Sequence, residues 1–272
     1  MSNVTLEYYK YLIFLPVFGA LCTAVLALIV LTILESVLGV ATNMTFLAYT
    51  DRNHPLLKRL QMEAPGTYHH SERVASIAEK AATVIGCNPW KVQACALFHD
   101  IGKLSAPEKF TENSGGVDYH NQLSPEESVA VIRRHVSYGL ELARKYKLKP
   151  SLRVSIACHH GTDYISFFYQ IAKKDHPETV AEADFRYEGP LPQNKENTIL
   201  MLADCCEAAL HSYVSPTPEE VYQKVDEIFQ SKYLHGQLSE SILSFKELDQ
   251  IKESFVNSLI TMNHVRIAYP KQ

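Results

Sequence analysis

The segment 11–34 restricts the fold of this chain more than any other stretch, because it is apolar throughout and carries no charged side chain. At about 1.5 Å per residue, a helix of this length reaches roughly 36 Å, enough to cross the hydrocarbon core of a bilayer. A cleaved signal peptide usually has a shorter apolar core, of about 7 to 15 residues, and a buried core helix is the remaining alternative. The segment therefore predicts one transmembrane helix within residues 1–35.

The basic residues on either side of this segment indicate its orientation. Lys10 stands alone before it, whereas Arg52, Lys58 and Arg59 follow it. Cytoplasmic flanks are richer in lysine and arginine, so the pattern predicts a single-pass membrane protein whose C-terminal part lies in the cytoplasm. We predict a juxtamembrane connector over residues 36–52 and one folded domain over residues 53–272.

Every strong pattern after residue 53 is helical. Ser124, Thr217 and Ser244 each stand three residues before a glutamate, which is the spacing of a capping box at the start of a helix. Asn88, followed by a proline, is a similar start signal, and we expect Trp90 in that helix to face inward. No strand alternation and no internal repeat is found. The sequence predicts an all-α bundle preceded by one transmembrane helix.

Composition narrows the classes of ligand. A net charge of -4 over 272 residues offers no broadly basic surface to a nucleic-acid polymer. A phosphate-bearing ligand must therefore be held by local cations, including metal ions. The six cysteines show no C-x-x-C pair and no framework spacing, which is typical of a reducing compartment.

The motif His-Asp-Ile-Gly-Lys at residues 99–103 places an imidazole and a carboxylate side by side, followed by a glycine and a cation. Other histidines and an aspartate lie at helix ends or on apolar helical faces. With the motif they give seven candidate metal ligands: His70, His99, Asp100, His135, His159, His160 and Asp204. One inward histidine is usually a packed core residue. Seven such side chains together are better explained by bound cations, because an unpaired buried carboxylate is costly.

The candidate ligands divide between two metal ions if Asp100 is shared. One ion then takes His70, His99, Asp100 and Asp204, and the other takes Asp100, His135, His159 and His160. Two ions about 3.5 to 4 Å apart can clamp an in-line displacement at phosphorus, and imidazole with carboxylate ligands favours Fe or Mn over a structural zinc site. We predict Asp100 and Lys103 as catalytic residues, with the Lys103 ammonium reaching a phosphate oxygen. Cys158, Cys205 and Cys206, next to the ligands, are expected to pack rather than coordinate.

Residues 173–197 contain prolines and charges without periodicity, so they predict a surface loop that overhangs the site. Arg186 and Tyr187 in this segment are candidate contacts for a base or a phosphate. His69 and His120 have no apolar helical setting and are expected at the surface or in packing.

These residues and their flanks resemble the HD-domain phosphohydrolases. The similar stretches are NHPLLKRLQMEAPGTYHHSERVA, FHDIGKLSAPEKFTEN, LSPEES, CHHGT, FRYEGPLPQNKE, MLADCCEAA, HGQL and RIAYP. From about residue 35 onward the chain is similar to the cytoplasmic HD domain of the seven-helix membrane-anchored, PgpH-type family. That family has an extracellular domain and several membrane helices, of which this chain is expected to hold only the last.

The resemblance implies an HD-domain helical bundle and a phosphodiesterase that hydrolyses cyclic di-AMP to linear pApA. It also implies a di-iron or di-manganese centre on the same seven ligands. One alternative is an HD hydrolase of another nucleotide, such as cyclic di-GMP, (p)ppGpp or a dNTP. Another is a membrane-tethered sensor that binds a nucleotide without cleaving it. Homodimer formation stays open.

Overall fold

The computed structural model describes residues 2–175 and 178–264, so His176 and the predicted RIAYP motif at 266–270 lie outside the described residues. The α-helices are α1 Ser2–Leu38, α2 Asn43–Tyr49, α3 Pro55–Glu63, α4 Pro65–Val84, α5 Pro89–Phe98, α6 Pro125–Lys145, α7 Pro150–Cys158, α8 Ser166–Asp175, α9 Lys195–His211, α10 Pro218–Leu234 and α11 Phe245–His264. The described residues contain no β-strand, only an isolated bridge between Tyr164 and Arg186. The predicted all-α class is confirmed.

The chain divides into two compact units, Met1–Thr42 and Asn43–Gln272. The first unit consists mainly of α1, whose apolar side chains from Tyr11 onward are largely exposed. Within α1, Tyr8–Glu35 has a mean hydropathy of 2.8 and is long enough to cross a membrane. Length and composition make it a candidate span, although a signal sequence passes the same test.

The helix starts predicted from sequence are present. Ser124 and Thr217 form reciprocal capping boxes with Glu127 and Glu220 at the starts of α6 and α10. Asn88 accepts a hydrogen bond from the backbone of Lys91 and begins α5. These caps satisfy backbone N–H groups that have no partner inside the helix.

The core of the second unit forms around α4, which packs against α3, α5, α9 and α11. Val74, Ile77 and Ala81 follow helical spacing along α4 and are fully buried. Burying one large aliphatic side chain contributes about 1.5 to 3 kcal/mol. The same packing brings the ends of α5 and α7 toward the middles of α6 and α9.

Gly102 allows the turn after α5 to touch α6. A Cβ on Gly102 would lie 1.7 Å from the carbonyl oxygen of His135 and 2.6 Å from the backbone nitrogen of Gly139. No side chain fits in that space. The glycine of the His-Asp-Ile-Gly-Lys motif thus permits the backbone approach that places Asp100 beside His135.

Two sequence expectations differ from the structure. Trp90 is 38% exposed rather than turned inward, because it lies in the first turn of α5, at the edge of the packed face. The second difference concerns the predicted loop 173–197. The helix α8 extends to Asp175, and a short 3-10 helix covers Glu182–Phe185, so the irregular segment is shorter than expected.

Candidate metal centre

The seven candidate ligands come together in two groups. The nitrogen and oxygen atoms within each group lie within 4.8 Å of one another. One group contains Asp100, His135, His159 and His160, and the other contains His70, His99 and Asp204. Their side chains are at most 9% exposed, except that of His160 at 22%. The sequence therefore identified a set of side chains that meet, and their role as ligands stays a prediction.

Each ligand is held at a distinct place in the helical frame. His70 lies in the second turn of α4, His135 in the middle of α6 and Asp204 in the middle of α9. His99 ends α5 and is followed by Asp100, whereas His159 ends α7 and is followed by His160. A helix end lets two adjacent side chains turn toward one place, which adjacent positions inside a helix cannot do because they diverge by about 100°.

In three of the histidines, Nδ1 makes a hydrogen bond to the backbone carbonyl of the residue three positions earlier. The distances are 2.6 Å from His99 to Ala96, 2.5 Å from His135 to Ile132, and 2.8 Å from His159 to Ile156. Since a carbonyl only accepts, each Nδ1 carries the proton and each Nε2 presents a lone pair. This is the tautomer that a metal ligand needs.

Those lone pairs face one another. The Nε2 atoms of His135 and His159 are 3.3 Å apart, and that of His160 lies 3.2 Å from His135. His99 Nε2 and Asp100 Oδ1 are two of nine side-chain atoms in the described residues that are buried without a hydrogen-bond partner, and these two lie together in the centre. Buried polar atoms of this kind are rare and call for a bound ion or water. Two ligands about 2.1 Å from one ion lie roughly 3.0 to 3.4 Å apart, so the residues fit a divalent metal.

Asp100 lies between the two groups, with one carboxylate oxygen toward each. Its Oδ1 is 3.5 Å from His135 Nε2 and 3.6 Å from His159 Nε2. Its Oδ2 is 3.3 Å from His99 Nε2 and 3.8 Å from His70 Nε2. This arrangement suits a carboxylate that bridges two cations.

The charges of the centre favour bound cations. Burial would raise the pKa of Asp100, but Lys103 and His99 hold it well below its usual range. Burial would lower the pKa of His70, yet the carboxylates of Asp204 and Glu207 raise it to about 9. Burial would likewise lower the pKa of His99, yet Asp100 and Asp204 raise it to about 10. Burial lowers the pKa of His135 to about 4. The carboxylates that raise the pKa of His70 and His99 would equally attract metal ions.

Lys103 lies at the edge of the centre. Its Nζ is 2.8 Å from Asp100 Oδ2 and 2.7 Å from Glu112 Oε1. Burial opposes the charged ammonium, but these two carboxylates raise its pKa. The cation therefore stays charged and is positioned by two anions rather than by solvent.

Two cavities adjoin the centre and share Lys103, Glu112 and His160. One measures about 590 Å³ and is lined by aromatic side chains, including Phe168 and Tyr187. The other measures about 500 Å³, and its walls include the charged or ionisable side chains of Arg73, Glu207 and His211. Both fall within the size range of small-molecule sites.

Sequence reasoning missed Glu207. Its carboxylate accepts hydrogen bonds from Nδ1 of His70 and from Arg73. The available signal was its position three residues after Asp204, on the same face of α9. His120, expected at the surface or in packing, packs against Phe168 and lines the aromatic cavity.

Tyr187 and Arg186, the two candidate substrate contacts predicted in the segment 173–197, differ in their surroundings. The ring of Tyr187 stacks on that of His160 at 4.1 Å and lines the aromatic cavity. Arg186 is engaged elsewhere, because its guanidinium donates to the Thr162 carbonyl at 2.8 Å and to Glu182. His69 is 63% exposed and lies outside both groups.

Comparison with known proteins gives concordant matches. The chain is 38% identical to the cyclic-di-AMP phosphodiesterase PgpH of Bacillus subtilis over 96% of its own length and 37% of that relative. It is 41% identical to an uncharacterised protein of Synechocystis over 99% of its own length and 34% of that relative. The chain thus spans little more than a third of these curated relatives.

A solved structure matches more completely. The crystal structure of the HD domain of the phosphodiesterase PgpH from Listeria monocytogenes, in complex with cyclic di-AMP, is 38% identical with a TM-score of 0.75. The match covers 79% of this chain and 100% of that domain. The family model described as HD domain matches residues 67–209, which include all seven candidate ligands. The chain therefore belongs to the HD-domain family and has PgpH homologues.

Proposed function

We propose that the chain is a metal-dependent phosphodiesterase that hydrolyses cyclic di-AMP to linear pApA. The observation that carries this proposal is Asp100, whose two carboxylate oxygens face two separate groups of ligand atoms. The substrate rests on the names of the relatives, since both PgpH enzymes act on cyclic di-AMP and share 38% identity with the chain.

We assign the ligands to two ions in the division that the sequence predicts. One ion is assigned to His70, His99, Asp100 and Asp204, and the other to Asp100, His135, His159 and His160. The donor set of imidazole and carboxylate favours Fe or Mn. Bound ions would supply charge stabilisation at phosphorus and lower the pKa of water.

The residues of the chain orient the substrate and offset its charge. Lys103 lines both cavities and stays charged, so it can meet a non-bridging phosphate oxygen at the centre. Tyr187 and Phe168 offer aromatic faces for one nucleobase on one side of Lys103. The second cavity, beside Arg73, receives the other half of the dinucleotide.

The N-terminal unit fits a membrane anchor. We propose a single-pass protein with residues 1–35 as tail and transmembrane helix, 36–52 as connector and 53–272 as a cytoplasmic HD domain. The exposed apolar surface of α1 supports this proposal. Protease protection in sealed vesicles tests the orientation: the domain should be digested only when the cytoplasmic face is accessible.

Hydrolysis is tested with purified protein reconstituted with Mn²⁺ under anaerobic conditions. Cyclic di-AMP, cyclic di-GMP, ppGpp and a dNTP are supplied side by side, with Asp100→Ala as the control. We expect pApA from cyclic di-AMP at the highest rate and no turnover by the control. Faster turnover of another nucleotide would reassign the substrate. Tight binding of cyclic di-AMP without product would mean that the chain is a sensor.

A further inference from the structure

His70 differs from His99, His135 and His159 in the chemical group that its Nδ1 contacts. Nδ1 of His99, His135 and His159 meets a neutral backbone carbonyl. Nδ1 of His70 instead meets the carboxylate of Glu207, whose side chain is 5% exposed. The two groups of ligands therefore have different surroundings.

Glu207 is itself fixed by a chain of contacts that reaches the surface. Its Oε1 accepts a hydrogen bond from Arg73 Nε, while its Oε2 meets His70. Arg73 Nη2 lies 2.9 Å from His211 Nδ1. The side-chain exposure rises outward, from 5% for Glu207 to 36% for Arg73 and 54% for His211. Both carboxylate oxygens are engaged, so Glu207 cannot turn away from His70.

A carboxylate forms a stronger hydrogen bond with the Nδ1–H of an imidazole than a backbone carbonyl does. It keeps the proton on Nδ1, directs the Nε2 lone pair into the centre and makes the imidazole a more basic ligand. The group around His70 also contains Asp204, whereas the other group has Asp100 as its only carboxylate. Both features strengthen cation binding at the His70 position.

We propose that Glu207 is a positioning residue that makes the metal position at His70, His99 and Asp204 the tighter of the two. This position therefore fills first. The inference rests on the dinuclear centre of the proposed function and adds an order of loading to it.

The test is a calorimetric titration of metal-free protein with Mn²⁺ under anaerobic conditions. In the wild type we expect two binding steps of unequal affinity. Glu207→Gln keeps an acceptor of similar size for His70 Nδ1 and removes the charge. It should weaken the tighter step roughly 10- to 100-fold and leave the weaker step unchanged.

The matched control is Glu196→Gln. Glu196 also lies on α9 and is also paired, with Lys91 at 3.3 Å, but it belongs to neither group of ligands. Both steps should stay as in the wild type. Arg73→Met is a second variant for the case in which Glu207→Gln does not fold. It should weaken the same step by a smaller factor.

The outcomes separate this inference from the proposed function. Two equal steps in the wild type, or a weakening of the other step, overturn the inference and leave the dinuclear centre standing. A lower melting temperature of metal-free Glu207→Gln with unchanged affinities also overturns it, because Glu207 would then only stabilise the fold. A wild-type protein that binds no Mn²⁺ overturns both.

Discussion

At the scale of single residues, the contact between Gly102 and α6 decides whether two ligand-bearing segments meet. A Cβ at Gly102 would overlap the His135 carbonyl oxygen at 1.7 Å. Gly102→Ala must therefore push Asp100 and His135 apart, and we expect a loss of about 1 to 3 kcal/mol in the free energy of unfolding. Urea denaturation of the metal-free protein measures it.

The control for this substitution uses the other side of the same contact. A Cβ at Gly139 would meet the Ile156 methyl carbon at 3.0 Å, which can shift. Alanine also favours a helix by about 1 kcal/mol over glycine. Gly139→Ala should thus change stability less than Gly102→Ala, and an equal loss for both would contradict the steric argument.

Substitution of Lys103 tests the proposed reaction rather than the stability of the fold. If its ammonium meets the substrate phosphate, Lys103→Ala should reduce turnover of cyclic di-AMP about 100-fold while the protein keeps its metal. Lys109→Ala is the control, because Lys109 lines the same aromatic cavity but faces the Tyr119 ring at 4.6 Å. Steady-state rates and metal analysis are measured on the same samples. Loss of metal from Lys103→Ala would assign the lysine a structural role.

Candidate ligands could be predicted from sequence where the residue type and its position on a helix are unusual together. His70 and Asp204 could be chosen because each is a polar side chain on an apolar helical face. Glu207 was missed although it lies on the same face of α9 as Asp204, since its partner His70 lies 137 residues away and their contact depends on the packing of α4 against α9. Tyr187 was proposed as a contact, but its stacking on His160 depends on how the segment folds back.

At the scale of elements, α4 receives its N-terminal cap from a distant segment. Ala64 at the cap position makes no side-chain hydrogen bond to the helix. Instead, Asn113 Oδ1 accepts from the backbone nitrogens of Gly66 at 2.8 Å and Thr67 at 3.3 Å. The cap therefore joins the helix that carries His70 to the segment after Glu112, a residue that lines both cavities.

Removing this cap should destabilise the domain. We expect Asn113→Ala to lower the free energy of unfolding by about 1 kcal/mol, as the loss of other caps does. Ser124→Ala, which removes the local cap of α6, gives the reference value for a cap that joins no second segment. Chemical denaturation compares the two. An Asn113→Ala variant with an unchanged free energy of unfolding would show that the cap contributes nothing to stability.

The start of a helix could be predicted where the capping residues lie close together in sequence. The capping boxes at Ser124 and Thr217 are present because both partners lie within one turn of helix. The helix α8 was not predicted, since it is short and packs its apolar side through Phe168 and Ala172. These side chains bury against Val129 and Phe185, which only the tertiary fold brings together.

At the scale of the whole molecule, we expect metal binding and folding of the second unit to be coupled. The ligands come from α4, α6, α9 and the ends of α5 and α7, so the unfolded chain has no preformed site. For each position that it fills, Mn²⁺ at about 100 times the dissociation constant of that position should raise the free energy of unfolding by about 2.7 kcal/mol. Urea denaturation with and without Mn²⁺ measures this. An equal gain in Asp100→Ala would place the stabilising ion elsewhere.

The first helix was visible in sequence, whereas the boundary of the second unit was not. The uncharged run 11–34 predicted the helix that forms α1, because apolar length alone carries that signal. The boundary of the second unit depends on which residues pack: α2 begins that unit and buries Phe46. Such a contact has no local signature. The membrane role of α1 stays a proposal.

The most direct test of the account is the metal content of the purified chain after anaerobic reconstitution with Mn²⁺. The account predicts two ions per wild-type chain and loss of both in Asp100→Ala, because the shared carboxylate contributes to each position. A wild-type chain without bound ions, or an Asp100→Ala chain that retains both, would contradict a dinuclear centre bridged by Asp100.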